Sequence, residues 1–222
     1  MKNKYIYLGL IGAVLLGIGD WLLGFVNATA PTAEAFAYIR AGHAAEDYSL
    51  MRPTLAMALG AIGALFYYPC FVHMGDIVTD EKKRKSLNFL FGLSSFSLTL
   101  IHNFYAIIVF VYAWMMRNGG EALAGDLSMA MDGAMDKGVM VGFLALGAAQ
   151  IVLFLRIVKG QTIFPRQAVI FHPLVWLIVF TLIGTVLVSG NAFTYGLYTF
   201  GTNGGMIIWL VAVLVLSRDL AS

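Results

Sequence analysis

Charge is what this sequence has least of. Asp, Glu, Lys and Arg together supply 12% of its 222 residues, where a soluble domain carries about a quarter. Hydrophobic residues supply 60%, too many for the remaining polar side chains to cover in water. The net charge of +2 is scattered, and no basic stripe interleaves with aromatics, which excludes a nucleic-acid partner. Cys70 is the single cysteine, so neither an intrachain disulfide nor a cysteine-based zinc cluster can form within one chain. No lysine lies inside an apolar run, which argues against a covalently bound retinal. Neither GxSxG, HExxH nor HxxxH occurs, so no local motif supplies a serine nucleophile or a paired metal site.

What the chain has instead is long apolar runs. A helix needs about 20 mostly apolar residues to cross the hydrocarbon, and the sequence provides six such runs, at about 5–26, 53–75, 87–116, 138–158, 167–189 and 192–217. The expected fold is all-α, one polytopic transmembrane domain over residues 1–222. The first run follows Lys2 and Lys4 and precedes Ala28-Thr29-Ala30, a loose match to a signal peptide. It is longer than an ordinary signal h-region of about 7–15 residues, and reads as a span. Pro53 suits the first turn of the second span. The glycines at 196, 201, 204 and 205 are expected to weaken the last span, and with Pro69 and Pro173 to permit breaks or hinges.

Orientation follows from the basic residues. With the N-terminus inside, ten of the fourteen Lys and Arg fall on the cytoplasmic side, as the positive-inside rule requires of short loops. The expected topology has both termini in the cytoplasm and the bundle in the plasma membrane. Two segments then lie outside, 27–52 and 117–137. Within the first, residues 32–50 read as a helix with Phe36, Arg40, His43 and Asp47 on one face. The second, rich in Met and Asp, reads as a surface helix or a flap over the mouth of the bundle.

Polar groups avoid lipid, so they mark inward faces. Gly9, Ala13, Gly17, Asp20 and Gly24 form one stripe on the first span. Asn88, Gly92, Ser95, Thr99 and His102 form another on the third. Thr181, Thr185 and Ser189 lie on the fifth, and Tyr195, Tyr198 and Thr202 on the sixth. In the assigned topology Asp20, His102, Asn103, Tyr195 and Tyr198 share the outer half of the membrane, with His43 and Asp47 just above. A polar cavity opening outward and roofed by the 32–50 segment is the expectation, and these seven residues are its candidates. A smaller set, His73, Asp76 and His172, lies at the cytoplasmic end. If Asp20, His43, Asp47 and His102 converged, their nitrogen and oxygen donors would suit zinc or another divalent ion. No cofactor is named by the sequence. The glycine faces of the first span and of the fourth (Gly138 and Gly142) are candidate contacts with a second copy.

The stretch Gly19-Asp20-Trp21-Leu22-Leu23-Gly24 resembles one found in small bacterial six-helix membrane proteins of unassigned function. That resemblance implies the layout and a bacterial origin, and brings no activity. Intramembrane hydrolases related to ceramidases and adiponectin receptors use a Ser/His pair, an Asp and a later HxxxH; this chain has Asp20 and His102 without the HxxxH. The leading expectation is a cavity for a small molecule or lipid head group. An intramembrane lipid hydrolase using acid–base or metal chemistry is the second reading, and a small transporter or channel linking His102 to His73 and His172 is the third.

Overall fold

The computed structural model describes residues 2–29, 38–186 and 191–219. The described residues form α1 (Asn3–Gly24), α2 (Ala41–Ala44), α3 (Met51–Phe71), α4 (Glu81–Arg117), α5 (Glu121–Val158), α6 (Pro173–Val186) and α7 (Ala192–Asp219), with 3-10 turns at Met74–Ile77 and Arg166–Phe171. The one β-contact among them is an isolated bridge between Val78 and Thr162. Six helical segments are long and apolar enough to cross a membrane. α1, with 22 residues, measures roughly 33 Å at the helical rise of about 1.5 Å, close to the thickness of a bilayer's hydrocarbon core.

α1 is the central helix, packed between α3 on one side and α7 on the other. In lipid, apolar side chains gain little by leaving one another's company, so helices associate where small residues let backbones approach. The stripe on α1 does this. A Cβ on Gly12 would sit 2.8 Å from the Gly63 carbonyl of α3, and one on Gly63 would sit 3.2 Å from the Gly12 carbonyl. Gly9 faces Cys70, Gly17 faces Phe200 and Gly24 faces Thr199. This glycine face is therefore occupied within the chain, which corrects its assignment to a second copy. On α5, Gly142 packs against Ser97 of α4, whereas Gly138 borders open space.

The C-terminus of α1 exposes carbonyls that no residue of its own helix can satisfy. Three other residues supply donors. Phe25 N–H reaches the Trp21 carbonyl at 2.9 Å. The Arg52 guanidinium donates to Leu22 at 3.0 Å and to Phe25 at 2.8 Å. His43 Nε2 donates to the Leu23 carbonyl at 2.9 Å. A cation at a helix C-terminus also complements the macrodipole.

Three expectations give way to the structure. Residues 117–137 are no separate outer segment: α4 and α5 are joined through 118–120, with Gly119 at φ +75, and α5 runs unbroken for 38 residues. Hydropathy falls over 121–137, but proline is absent there and Ala, Leu and Met favour the helix, so it propagates from Glu121 into the apolar half. At roughly 57 Å, α5 outreaches a hydrocarbon core of about 30 Å. Second, among the described residues of 32–50 only 41–44 are α-helical. There the chain turns back so that the N–H groups of Ala41 and Gly42 donate to Thr29 and Asn27; Phe36 lies outside the described residues. Third, α7 is continuous through its glycines, which make room for neighbours. A Cβ on Gly205 would meet the Pro173 carbonyl at 2.9 Å, and one on Gly196 the Trp21 ring at 3.2 Å.

The remaining packing sets the site. α4 lies between α3 and α5, α6 packs on α7, and α5 and α6 barely meet. The bundle is thus a horseshoe around α1 with a crevice between α5 and α6. One apolar cluster, including Tyr67, Phe71, Phe91 and Trp209, fills the end that carries Ile6, Ile77 and Val213. A second, including Leu23, Ile39, Tyr48, Val109 and Tyr195, fills the far end.

The glycine contacts predict opposite outcomes at two positions. Gly12→Val drives a side chain into the α3 backbone and is expected to cost about 1–3 kcal/mol or more. Gly133→Ala adds a methyl to an open position, with nothing within 4 Å, and is expected to gain roughly 0.5–1 kcal/mol. Thermal unfolding in detergent micelles, with both variants beside the parent, measures the two shifts.

Candidate functional site

Between the two apolar clusters runs a polar layer built from three helices. Asp20 stands one turn before the end of α1, His102 at the middle of α4 and Asn203 at the middle of α7. His102 Nδ1 lies 2.9 Å from Asp20 Oδ1, and Asn203 Nδ2 donates to Asp20 Oδ2 at 2.7 Å. Thr199, one turn before Asn203, donates its hydroxyl to the Asp20 backbone carbonyl at 3.2 Å and to Gly196 at 2.9 Å. His102 Nε2 sits 3.0 Å from the Ala56 carbonyl of α3. The imidazole fits there because both neighbours lack side chains: a Cβ on Gly19 would come within 2.7 Å of the ring, and Gly60 flanks its other edge.

Hydrogen-bonding capacity fixes the protons. A backbone carbonyl only accepts, so Nε2 of His102 must carry hydrogen. Nδ1 then either donates to an ionised Asp20 or accepts from a protonated one. In both cases the pair shares one proton and is uncharged overall. The side chains are 6% and 14% exposed, so the layer is nearly closed on all sides but one.

That side opens on a cavity of about 230 Å³. Asp20, His102 and Asn203 form one wall, and Thr181, Thr199 and Thr202 continue it. Tyr38, Tyr105 and Tyr198 line it as well, with Leu98, Ile101, Phe143 and Leu177 among the apolar residues. Neither lysine nor arginine contributes to the lining. Tyr38 stacks on Tyr105 with ring centroids 5.0 Å apart, and its carbonyl accepts from the Tyr195 hydroxyl at 3.1 Å. Burial holds the Tyr38 phenol well above its usual pKa, so it stays a neutral hydroxyl. Tyr38 is the point at which the 32–50 segment meets the cavity.

The other sequence candidates lie elsewhere. Tyr195 supports Tyr38 from behind, beneath the Arg40 guanidinium, which lies 4.8 Å from its ring. Asn103 points toward Gly60 of α3 and its Oδ1 is buried without a partner. His43 is fully buried, with Nδ1 accepting from the Arg40 N–H at 2.9 Å and Nε2 on the α1 carbonyl. Burial lowers its pKa to about 4, the behaviour of a neutral structural histidine. Asp47 is exposed. The proposed metal set of Asp20, His43, Asp47 and His102 therefore does not converge, and among the described residues no three His, Cys, Asp or Glu side chains could hold a metal ion. Ser189 and the side chain of Thr185 lie outside the described residues.

The set at the opposite end divides in two. His73 Nδ1 lies 2.9 Å from Asp76 Oδ2, and Asn88 Nδ2 donates to Asp76 Oδ1 at 2.9 Å. This repeats the His–Asp–Asn arrangement of the main layer, here part-exposed and with Tyr5 stacked on His73 at 4.0 Å. His172 is buried apart from them, between Phe154 and Trp209. Its Nδ1 accepts from the Leu174 N–H at 3.2 Å, capping α6, which starts at Pro173. The α4 stripe does not link the two ends, because Thr99 donates to its own helix at Ser95 and Ser97 to Leu93.

Sequence reasoning missed Asn203, Thr199, Tyr38 and the capping Arg52. Asn203 left a usable signal: it is the one amide side chain inside the last apolar run, and such a group needs a partner in lipid.

Among known proteins, a family model matches residues 1–219, that of DUF6796, described as a family of unknown function. The chain belongs to that family. No curated protein matches, and no solved structure does. The likeness seen in Gly19–Gly24 thus gains no named relative, and bacterial origin does not follow from it.

Two outcomes test this geometry. Asp20→Ala strands the His102 and Asn203 donors in a buried layer, and is expected to cost about 3–5 kcal/mol, with Asp20→Asn costing less; thermal unfolding in micelles reads both. His43 has a folded pKa of about 4, below the usual value near 6.5, so protons favour the unfolded segment. The stability it contributes is intact above pH 6.5 and falls by about 1.4 kcal/mol per unit as the pH drops toward 4. Proteolytic nicking within 38–50 should rise over that window in the parent and less in His43→Gln.

Proposed function

We propose that this member of the DUF6796 family is a multi-pass protein of the cell membrane that binds the uncharged head group of a lipid or small molecule in the cavity above Asp20, His102 and Asn203. One observation carries the reading: a cavity of about 230 Å³ with hydroxyl, amide and carboxyl groups along its wall, placed within the spans. Polar surface at that depth is costly unless water or a ligand meets it. The lining lacks a cationic side chain and the Asp20–His102 pair is neutral. Hydroxyl, carbonyl or amide head groups suit it better than phosphates. The positive-inside bias places both termini in the cytoplasm, which puts the cavity in the outer half of the bilayer.

The same geometry weakens the two alternatives. A hydrolase would need a free nitrogen on His102 to move a proton to or from substrate, and both ring nitrogens are occupied. A conduction path would have to cross the apolar cluster of Tyr67, Phe71, Phe91 and Trp209, which separates His102 from His73.

Native mass spectrometry of gently extracted protein tests the proposal. The parent should carry a co-purified small molecule or lipid, and Asp20→Asn should lose at least tenfold of it. A parent that carries nothing, or an Asp20→Asn variant with the same ligand occupancy, overturns the reading.

A further inference from the structure

Below the polar cavity lies a second chamber of about 130 Å³. The two spaces share Leu98, Phe143, Leu177 and Thr202 in their walls, so they are successive parts of one crevice descending between α5 and α6. The lower chamber is apolar apart from a few groups, and its largest polar side chain is Gln150, which is 5% exposed. Its Nε2 rests 3.7 Å from the Met206 sulfur, a weak acceptor, and its Oε1 is buried with no partner. An unmet amide oxygen in such surroundings costs about 1–3 kcal/mol. It is the mark of a place where something else supplies a donor.

The rims of the crevice face outward and are apolar. Leu144 on α5 is 65% exposed and Ile178 on α6 is 58% exposed, so a hydrocarbon chain leaving the crevice would enter lipid. Gly147 stands in the chamber wall, and a Cβ built there meets nothing within 4 Å. The wall is open at that residue because the space is open, since no neighbouring backbone requires a glycine.

We propose that the two spaces form one site for an uncharged amphiphile with a single chain. Its head group meets the Asp20–His102–Asn203 layer, its chain runs through the lower chamber and out between α5 and α6, and Gln150 Oε1 accepts from a hydroxyl or amide donor at the root of the chain. This rests on the head-group reading above and adds the class of ligand and its route of entry, sideways from the bilayer.

Monooleoylglycerol and monobutyrylglycerol, which share a head group and differ in chain, are suitable probes. Each is titrated into the parent, Gly147→Leu and Asp20→Asn at equal mole fraction in the micelle, and occupancy is read by native mass spectrometry. The parent should bind the oleoyl probe at least tenfold more tightly than the butyryl probe. Gly147→Leu fills the chamber and should bind the two alike, with its unfolding temperature unchanged. Asp20→Asn should weaken both. A folded Gly147→Leu that keeps the tenfold preference, or loses both probes, overturns the two-chamber site, as does a parent without chain preference. A parent that binds neither probe removes the head-group reading as well.

Discussion

The Asp20 carboxyl group is the constraint on which the middle of this molecule depends. In a bilayer an unpaired carboxylate is prohibitive, and the hydrophobic effect does little to hold helices together. One side chain answers both problems. Its two oxygens engage His102 and Asn203, so α1, α4 and α7 are fixed in register by a single residue. The second ring nitrogen of His102 extends the tie to α3 through Ala56.

This layer works only because glycine surrounds it. Gly19 and Gly60 bracket the imidazole, and Gly12 against Gly63 brings α1 and α3 close enough for His102 to reach across. Small residues and polar residues therefore have complementary tasks. The first set the distance between backbones, and the second use that distance for bonds that specify one arrangement. The same logic governs the far end of α1, where Arg52 and His43 close its open carbonyls and so hold the 38–50 segment over the cavity.

The crevice is the counterpart of this tight half. α1, α3, α4 and α7 are locked by glycine contacts and the shared carboxylate, whereas α5 and α6 pack outward on α4 and α7 and leave space between themselves. The residues bordering that space grade from hydroxyl and amide groups at Thr181 and Asn203 to leucine and phenylalanine lower down. A gradient of that kind follows the long axis of a lipid. The His–Asp–Asn set at Asp76 shows that the motif alone does not make a cavity: there it ties the turn at 74–77 to α4 through Asn88, whose Oδ1 accepts from Gly75 N–H.

By itself the sequence determined the spans and the inward faces, because hydropathy over about 20 residues and the cost of polar groups in lipid are local properties readable from residue order. It brought Asp20 and His102 to one depth on that ground. It could not decide what each polar group would bond to. His43 reads as a binding candidate until it is seen capping α1, and Asn203 reads as part of a glycine-weakened helix until it is seen on Asp20. Hydropathy also broke α5 at residue 137, where only the packing of its first half against α4 shows that the helix continues. Partners, caps and empty space arise from how helices distant in sequence meet, and those contacts exist only in the folded chain.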